Sequence, residues 1–206
     1  MRNRRQTRKR TSEAGFSLVE LLMVVTLIVI MAAIALPNLS GYLRLYKIRG
    51  TAQQVAGQIQ QARSKAIMGN TNRGVVFVVV DRDSYRWIQE DALDAQPAPA
   101  SPLTGGLFNL PVGISFQSVA AGAVGLRFSR LGGACVPGTT GCATIAATPF
   151  CTAAENANCT DAAAPANAYI DVATNPQNYR VTLRELATNI TRTVQITPGG
   201  RVVVQQ

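Results

Sequence analysis

The sequence predicts an α+β protein: one long N-terminal helix, its first half membrane-spanning and its second half amphipathic, packed on an antiparallel β-rich head. Three observations carry that prediction. An almost unbroken apolar run fills residues 16–36. Between Leu39 and Ala66 apolar residues recur at three-to-four spacing, the period of a helix with one buried face. From Val75 onward that period gives way to short β-branched runs separated by Gly, Pro and Asp turns.

Residues 1–15 form a basic leader, with Arg2, Arg4, Arg5, Arg8, Lys9 and Arg10 against Glu13. The apolar run of 16–36 is long enough, at about 1.5 Å per residue, to span roughly 30 Å of hydrocarbon as a helix. The basic cluster before it would hold the N-terminus in the cytoplasm and direct the rest of the chain outward. Glu20 stands inside this run. A lone carboxylate in hydrocarbon costs about 2.5–3.5 kcal/mol on insertion scales, so an ionisable group here points to function. A plain anchor with a stray acid is one rival reading. A secretory signal cut after Ala33-Ile34-Ala35 is another. Both leave Glu20 and the Gly15-Phe16 junction unexplained.

The leader also changes what the net charge of +9 means. Six of the 20 Lys and Arg, and one of the 11 Asp and Glu, precede Phe16, which leaves the rest of the chain at +4. Half of the basic balance is therefore a targeting feature and not a nucleic-acid footprint.

Residues 37–69 continue the helix beyond Pro37, which removes one backbone donor and should kink or loosen it. Leu39, Tyr42, Leu43, Tyr46, Ala52, Val55, Ile59, Ala62 and Ala66 form a stripe expected to dock on the head. Gly50 and Gly57 weaken the helix, and Gly69-Asn70 is a stop signal. Residues 70–206 form the head. Val75–Val80 and Tyr85–Gln89 read as a hairpin across Asp81-Arg82-Asp83-Ser84, followed by a Pro-rich loop over 91–106. Further strands are expected near 114–119, 125–129, 179–186, 190–197 and 201–204. Residues 131–168, rich in Ala, Thr, Gly and Asn, read as a surface insertion outside the core.

That insertion holds all four cysteines, Cys135, Cys142, Cys151 and Cys159. In an exported domain they read as two disulfides, for which three pairings are open, with Cys135–Cys142 and Cys151–Cys159 preferred as the local one. A zinc site is the competing reading, although the C-x-x-C knuckles it needs are missing. Histidine is absent, which removes the commonest general base and metal ligand. No P-loop and no G-x-S-x-G is present. Asp81 and Asp83, beside Arg82 and Arg86, read as a solvated hairpin and not a calcium site. The expectation is a non-enzymatic protein with no catalytic residues, no metal and no cofactor.

Gly15-Phe16-Ser17-Leu18-Val19-Glu20, set between a charged leader and an apolar run, resembles the class III signal of type IV pilin-like proteins. The resemblance implies cleavage between Gly15 and Phe16 by a prepilin peptidase and N-methylation of Phe16. It also implies assembly into a helical filament in which Glu20 pairs with a positively charged N-terminus. Such a pair can fix register, because leaving either partner alone in low dielectric is costly.

Three head segments are similar to the H-type minor pseudopilins of type II secretion and to FimT/FimU-type minor pilins. They are Ala62-Arg63-Ser64-Lys65-Ala66-Ile67, Leu126-Arg127-Phe128-Ser129-Arg130-Leu131-Gly132-Gly133, and Val194-Gln195-Ile196-Thr197-Pro198-Gly199-Gly200-Arg201-Val202. The implied role is a minor structural subunit that initiates or caps a type IV pilus or a type II secretion pseudopilus. The implied partners are other pilin-like subunits, the prepilin peptidase and an inner-membrane assembly platform. The implied location is the bacterial inner membrane, crossed once with the head periplasmic, and then a cell-surface pilus or periplasmic pseudopilus. The alternative is a DNA-binding minor pilin for natural transformation. Arg180, Arg184, Arg192 and Arg201 would then touch the DNA, although the family's Gly-Arg-x-Arg reads Gly200-Arg201-Val202-Val203 here.

Overall fold

The computed structural model describes residues 16–70, 74–90, 106–120, 122–142, 144–145, 168–172 and 178–205, the side chains of 36–38 and 90 excepted. One helix, α1 (Leu18–Gly69), precedes eleven strands: β1 (Gly74–Asp81), β2 (Ser84–Glu90), β3 (Phe108–Asn109), β4 (Ile114–Phe116), β5 (Gly122–Ala123), β6 (Gly125–Phe128), β7 (Ala134–Cys135), β8 (Ile170–Asp171), β9 (Tyr179–Glu185), β10 (Thr191–Ile196) and β11 (Val202–Gln205). The fold is α+β. The chain forms two compact units, residues 1–43 and 44–206.

The first unit holds the apolar part of α1. Ser17, a residue type that suits an N-cap, precedes it, and its carbonyl accepts the Leu21 N–H at 3.2 Å. From Leu18 to Ile34 the large apolar side chains are 49–76% exposed, an arrangement that water does not favour and a lipid or a protein surface would.

In the second unit all strand pairs are antiparallel. One sheet has the order β3-β2-β1-β6-β7, and the other the order β11-β10-β9-β8-β5 with β4 also pairing β9. The main core lies between helix and sheets. Ile48, Ala52, Val55, Ile59, Ala62 and Ala66 of α1 meet Val75, Phe77 and Val79 of β1, Leu126 and Phe128 of β6, Val181 and Leu183 of β9, and Val194 and Ile196 of β10. Burying an aliphatic side chain of this size contributes about 1.5–3 kcal/mol.

The docked stripe differs from the expected one. Leu39, Tyr42, Leu43 and Tyr46 are 50–59% exposed, and burial begins at Ile48. The reason is phase. At 100° per residue the face carrying Ile48, Ala52 and Val55 passes back through half-buried Leu45, whereas Tyr46 lies on the far side. Helix α1 ends at Gly69, and Asn70 takes the left-handed conformation (φ 45°) that closes such ends.

Strand β1 is buried on both faces. Val76, Val78 and Val80 form a second small core with Ile88, against Leu107, Val124 and Ile145, which explains an apolar run without alternation. Here the expectation of a wholly peripheral 131–168 is corrected. Ala134 belongs to the main core, Cys142 and Ala168 are buried, and β7 pairs with β6. Short strands supply the reason: two residues of pairing are enough to bury a small side chain, and they leave no periodic signature. Residues 91–105 and 146–167 lie outside the described residues.

Candidate functional site

Of the expected Gly15-Phe16 cleavage site, Phe16 is described and is 83% exposed, while Gly15 lies outside the described residues. Glu20 sits in the first turn of α1, where a carboxylate favourably faces the positive end of the helix dipole. After Glu20 no Asp or Glu occurs until Asp81, so this carboxylate is unique to the helix. Phe16 precedes Glu20 by four residues and lies just before the start of α1 at Leu18.

On the head, the structure divides the four arginines between faces and turns. Tyr179, Val181, Leu183 and Glu185 alternate along β9 with Arg180, Thr182 and Arg184, so Arg180 and Arg184 share the more exposed face. Register pairs Arg180 with Gln195 and Arg184 with Thr191, whereas Arg192 stands opposite Leu183 and in line with buried Val194 and Ile196. Arg192 is thus on the other face by strand parity. Arg184 is also committed: Nε and Nη2 both donate to Asn189 Oδ1, at 3.0 and 2.5 Å, bracing the β9–β10 turn, where Asn189 has a positive φ of 58°. Arg201 follows the β10–β11 turn, and its N–H donates to Thr197 Oγ1 at 3.1 Å. Cys135 and Cys142 form a disulfide that closes the loop after β7. Cys151 and Cys159 lie outside the described residues.

A residue whose role the sequence did not reveal is Arg63. From α1 it donates Nε to the Gly132 carbonyl at 3.0 Å and Nη2 to the Gly199 carbonyl at 3.2 Å. The two turns also bond directly, the Ala134 N–H reaching the Pro198 carbonyl at 2.6 Å. Gly132 (φ 79°) and Gly200 (φ 78°) are required here, since a Cβ on Gly200 would collide with the Gly132 carbonyl and a Cβ on either would crowd the Arg63 side chain. The three head segments singled out by resemblance therefore meet at one guanidinium. The only signal available in sequence was their co-occurrence.

Three tyrosines in or against the core have pKa values raised chiefly by burial, Tyr85 to about 12, and Tyr169 and Tyr179 upward as well. Glu185 has a lowered pKa, chiefly because Oε2 accepts the Thr188 hydroxyl and N–H, each at 2.6 Å. Among the described residues no group of three or more Cys, Asp or Glu could hold a metal ion.

Residues 10–36 match the model of the prokaryotic N-terminal methylation motif. No curated protein and no solved structure matches the chain. The match covers the end of the leader and the first part of α1, where residues 18–35 are long and apolar enough to cross a membrane. With that motif joined to that exposed apolar helix, the chain carries the N-terminal signature of type IV pilin-like proteins.

Proposed function

We propose that this protein is a minor, non-enzymatic subunit of a type IV pilus or type II secretion pseudopilus, cut after Gly15, methylated on Phe16, and packed into the filament through the first half of α1. The observation that carries the reading is Glu20, the one acid of an otherwise apolar, exposed helix, four residues after the motif's junction. In a filament core its carboxylate would meet a neighbour's N-terminal cation, and the cost of separating them would set the register of incoming subunits. The head would then present its surface to other pilin-like subunits, with the prepilin peptidase and the assembly platform as partners during insertion and growth.

Replacing Glu20 by Val tests this. The variant should insert in the membrane at normal abundance and fall at least about tenfold in sheared filaments, the equivalent of 1.4 kcal/mol of pairing free energy. Wild-type abundance in filaments would sink the role of Glu20. The DNA-binding reading has less support, because Arg192 is on the opposite strand parity from Arg180 and Arg184, and Arg184 is held by Asn189.

A further inference from the structure

The two sheets of the head end in unequal edges. Strands β3, β7 and β5, which close three of the four sheet ends, are two residues each and too short to template a partner. The fourth end is β11, which pairs with β10 on one side and has no strand on its other side among the described residues. It carries no lysine, no proline and no bulge, the devices that keep an edge from recruiting another strand.

The hydrogen-bond phase of this edge follows from its inner side. The Thr197 N–H donates to the Arg201 carbonyl at 2.9 Å, so that opposed pair is a hydrogen-bonded one. Antiparallel pairing alternates bonded and non-bonded pairs, so Gln195–Val203 and Thr193–Gln205 continue the bonded set. Arg201, Val203 and Gln205 therefore direct their backbone groups to β10. Val202 and Val204 turn theirs outward, each with an N–H and a carbonyl that meet no strand. Their side chains lie half-buried against the main core, whereas Val203, 39% exposed, shares the other face with Gln205.

Such an edge is complementary to a second copy of itself. Two β11 strands laid antiparallel about a two-fold axis at Val203 oppose Val202 to Val204, and Val204 to Val202, the outward-turned residues of both copies. The backbone hydrogen bonds then close with no donor left over. Val203 meets Val203 in the narrow, non-hydrogen-bonded position, and Arg201 meets neutral Gln205. A slip of one residue would set outward groups against inward ones. Parallel pairing in register would bring the two Arg201 side chains together. Phase and charge select the same arrangement.

We propose that β11 is a self-pairing edge, through which two copies of this chain join one sheet of each head into a continuous sheet centred on Val203. The contact is isologous, with the same strand on both sides. It goes beyond the filament role proposed above and stands or falls independently of Glu20.

The test is disulfide cross-linking of the full chain in detergent, with the wild type and its native cysteines as reference. Val203→Cys should give an oxidised dimer, because a non-hydrogen-bonded pair holds its Cα atoms about 4.5 Å apart, within disulfide reach. Arg201→Cys and Gln205→Cys should each stay at the wild-type level alone, their like positions being about 13 Å apart across the axis. Mixed before oxidation, they should cross-link to each other. In that mixture Val203→Lys on both partners should lower the dimer yield about fivefold by setting like charges face to face. Val204→Pro should lower it at least about tenfold, removing one outward donor per copy and sparing the bonds to β10. Trp87 fluorescence in urea shows that each variant is folded, and Val203→Lys, on an exposed face, carries the test if the proline variant is not. No dimer above wild type at 203, or 201-to-201 linkage as strong as 201-to-205, overturns the proposal. A yield that Val203→Lys leaves unchanged overturns it too.

Discussion

Arg63 joins a helix to two turns with one side chain, so its removal has a consequence that surface arginines rarely have. Arg63→Met should destabilise the head by about 1–3 kcal/mol, the scale for charged hydrogen bonds to carbonyls left without a donor. Arg63→Lys should recover little of this, because one ammonium cannot present two N–H groups at the fork spacing that spans Gly132 and Gly199. Urea unfolding followed by Trp87, the chain's single tryptophan and one covered by Lys65 Nζ at 4.3 Å, reads both. Glu185 sets a pH dependence. Its folded pKa is lowered by Thr188, so its contribution to stability is present above the unfolded carboxylate range and is lost as pH falls through the folded value. Glu185→Gln should flatten that acid limb of the stability profile, and an unchanged slope below about pH 4.5 would refute the assignment.

At the scale of elements, the β-branched run and the turn residues of 75–89 make the first hairpin legible. The β9, β10 and β11 strands are equally plain, because each is long enough to show a pattern. The β3, β5, β7 and β8 strands are not: two residues carry no period, and their pairing depends on neighbours brought close by the rest of the fold. The helical stripe in the sequence starts one phase too early, since Tyr42 and Tyr46 are as apolar as a docking residue and only tertiary packing distinguishes Leu45 and Ile48. Gly57 is exposed, and a Cβ there would meet open space. Gly57→Ala should raise head stability by about 0.5–1 kcal/mol, and a lower stability in urea would show that the position serves a close approach instead.

At the scale of the molecule, the methylation motif and the apolar helix are fully legible because their information is local: a junction, a carboxylate and a length. The head's task is not. Its arginines can be counted in the sequence, but only register shows that Arg192 and Arg180 lie on opposite parities. Arg63 can be quoted in a motif without any hint that Gly132 and Gly199, 69 and 136 residues away, share it. If the protein is a structural subunit, the full chain in detergent should give no salt-sensitive shift of duplex DNA. A shift at low salt that disappears with Arg201→Ala would favour the DNA reading, because non-specific affinity falls with every phosphate that is no longer neutralised.

The Arg63 junction also decides how the head would fail under tension. A pull applied at Arg44 along the axis of α1 acts parallel to the stripe from Ile48 to Ala66, while the guanidinium grips the turns near the opposite end of that stripe. The interface is therefore strained in shear, with all of its packing loaded together, and the helix cannot be peeled away one turn at a time. Without Arg63 that end is held by the packing of Ala62 and Ala66 alone, and the same tension parts the interface at a lower load. The guanidinium thus raises the load that the joint between helix and head withstands.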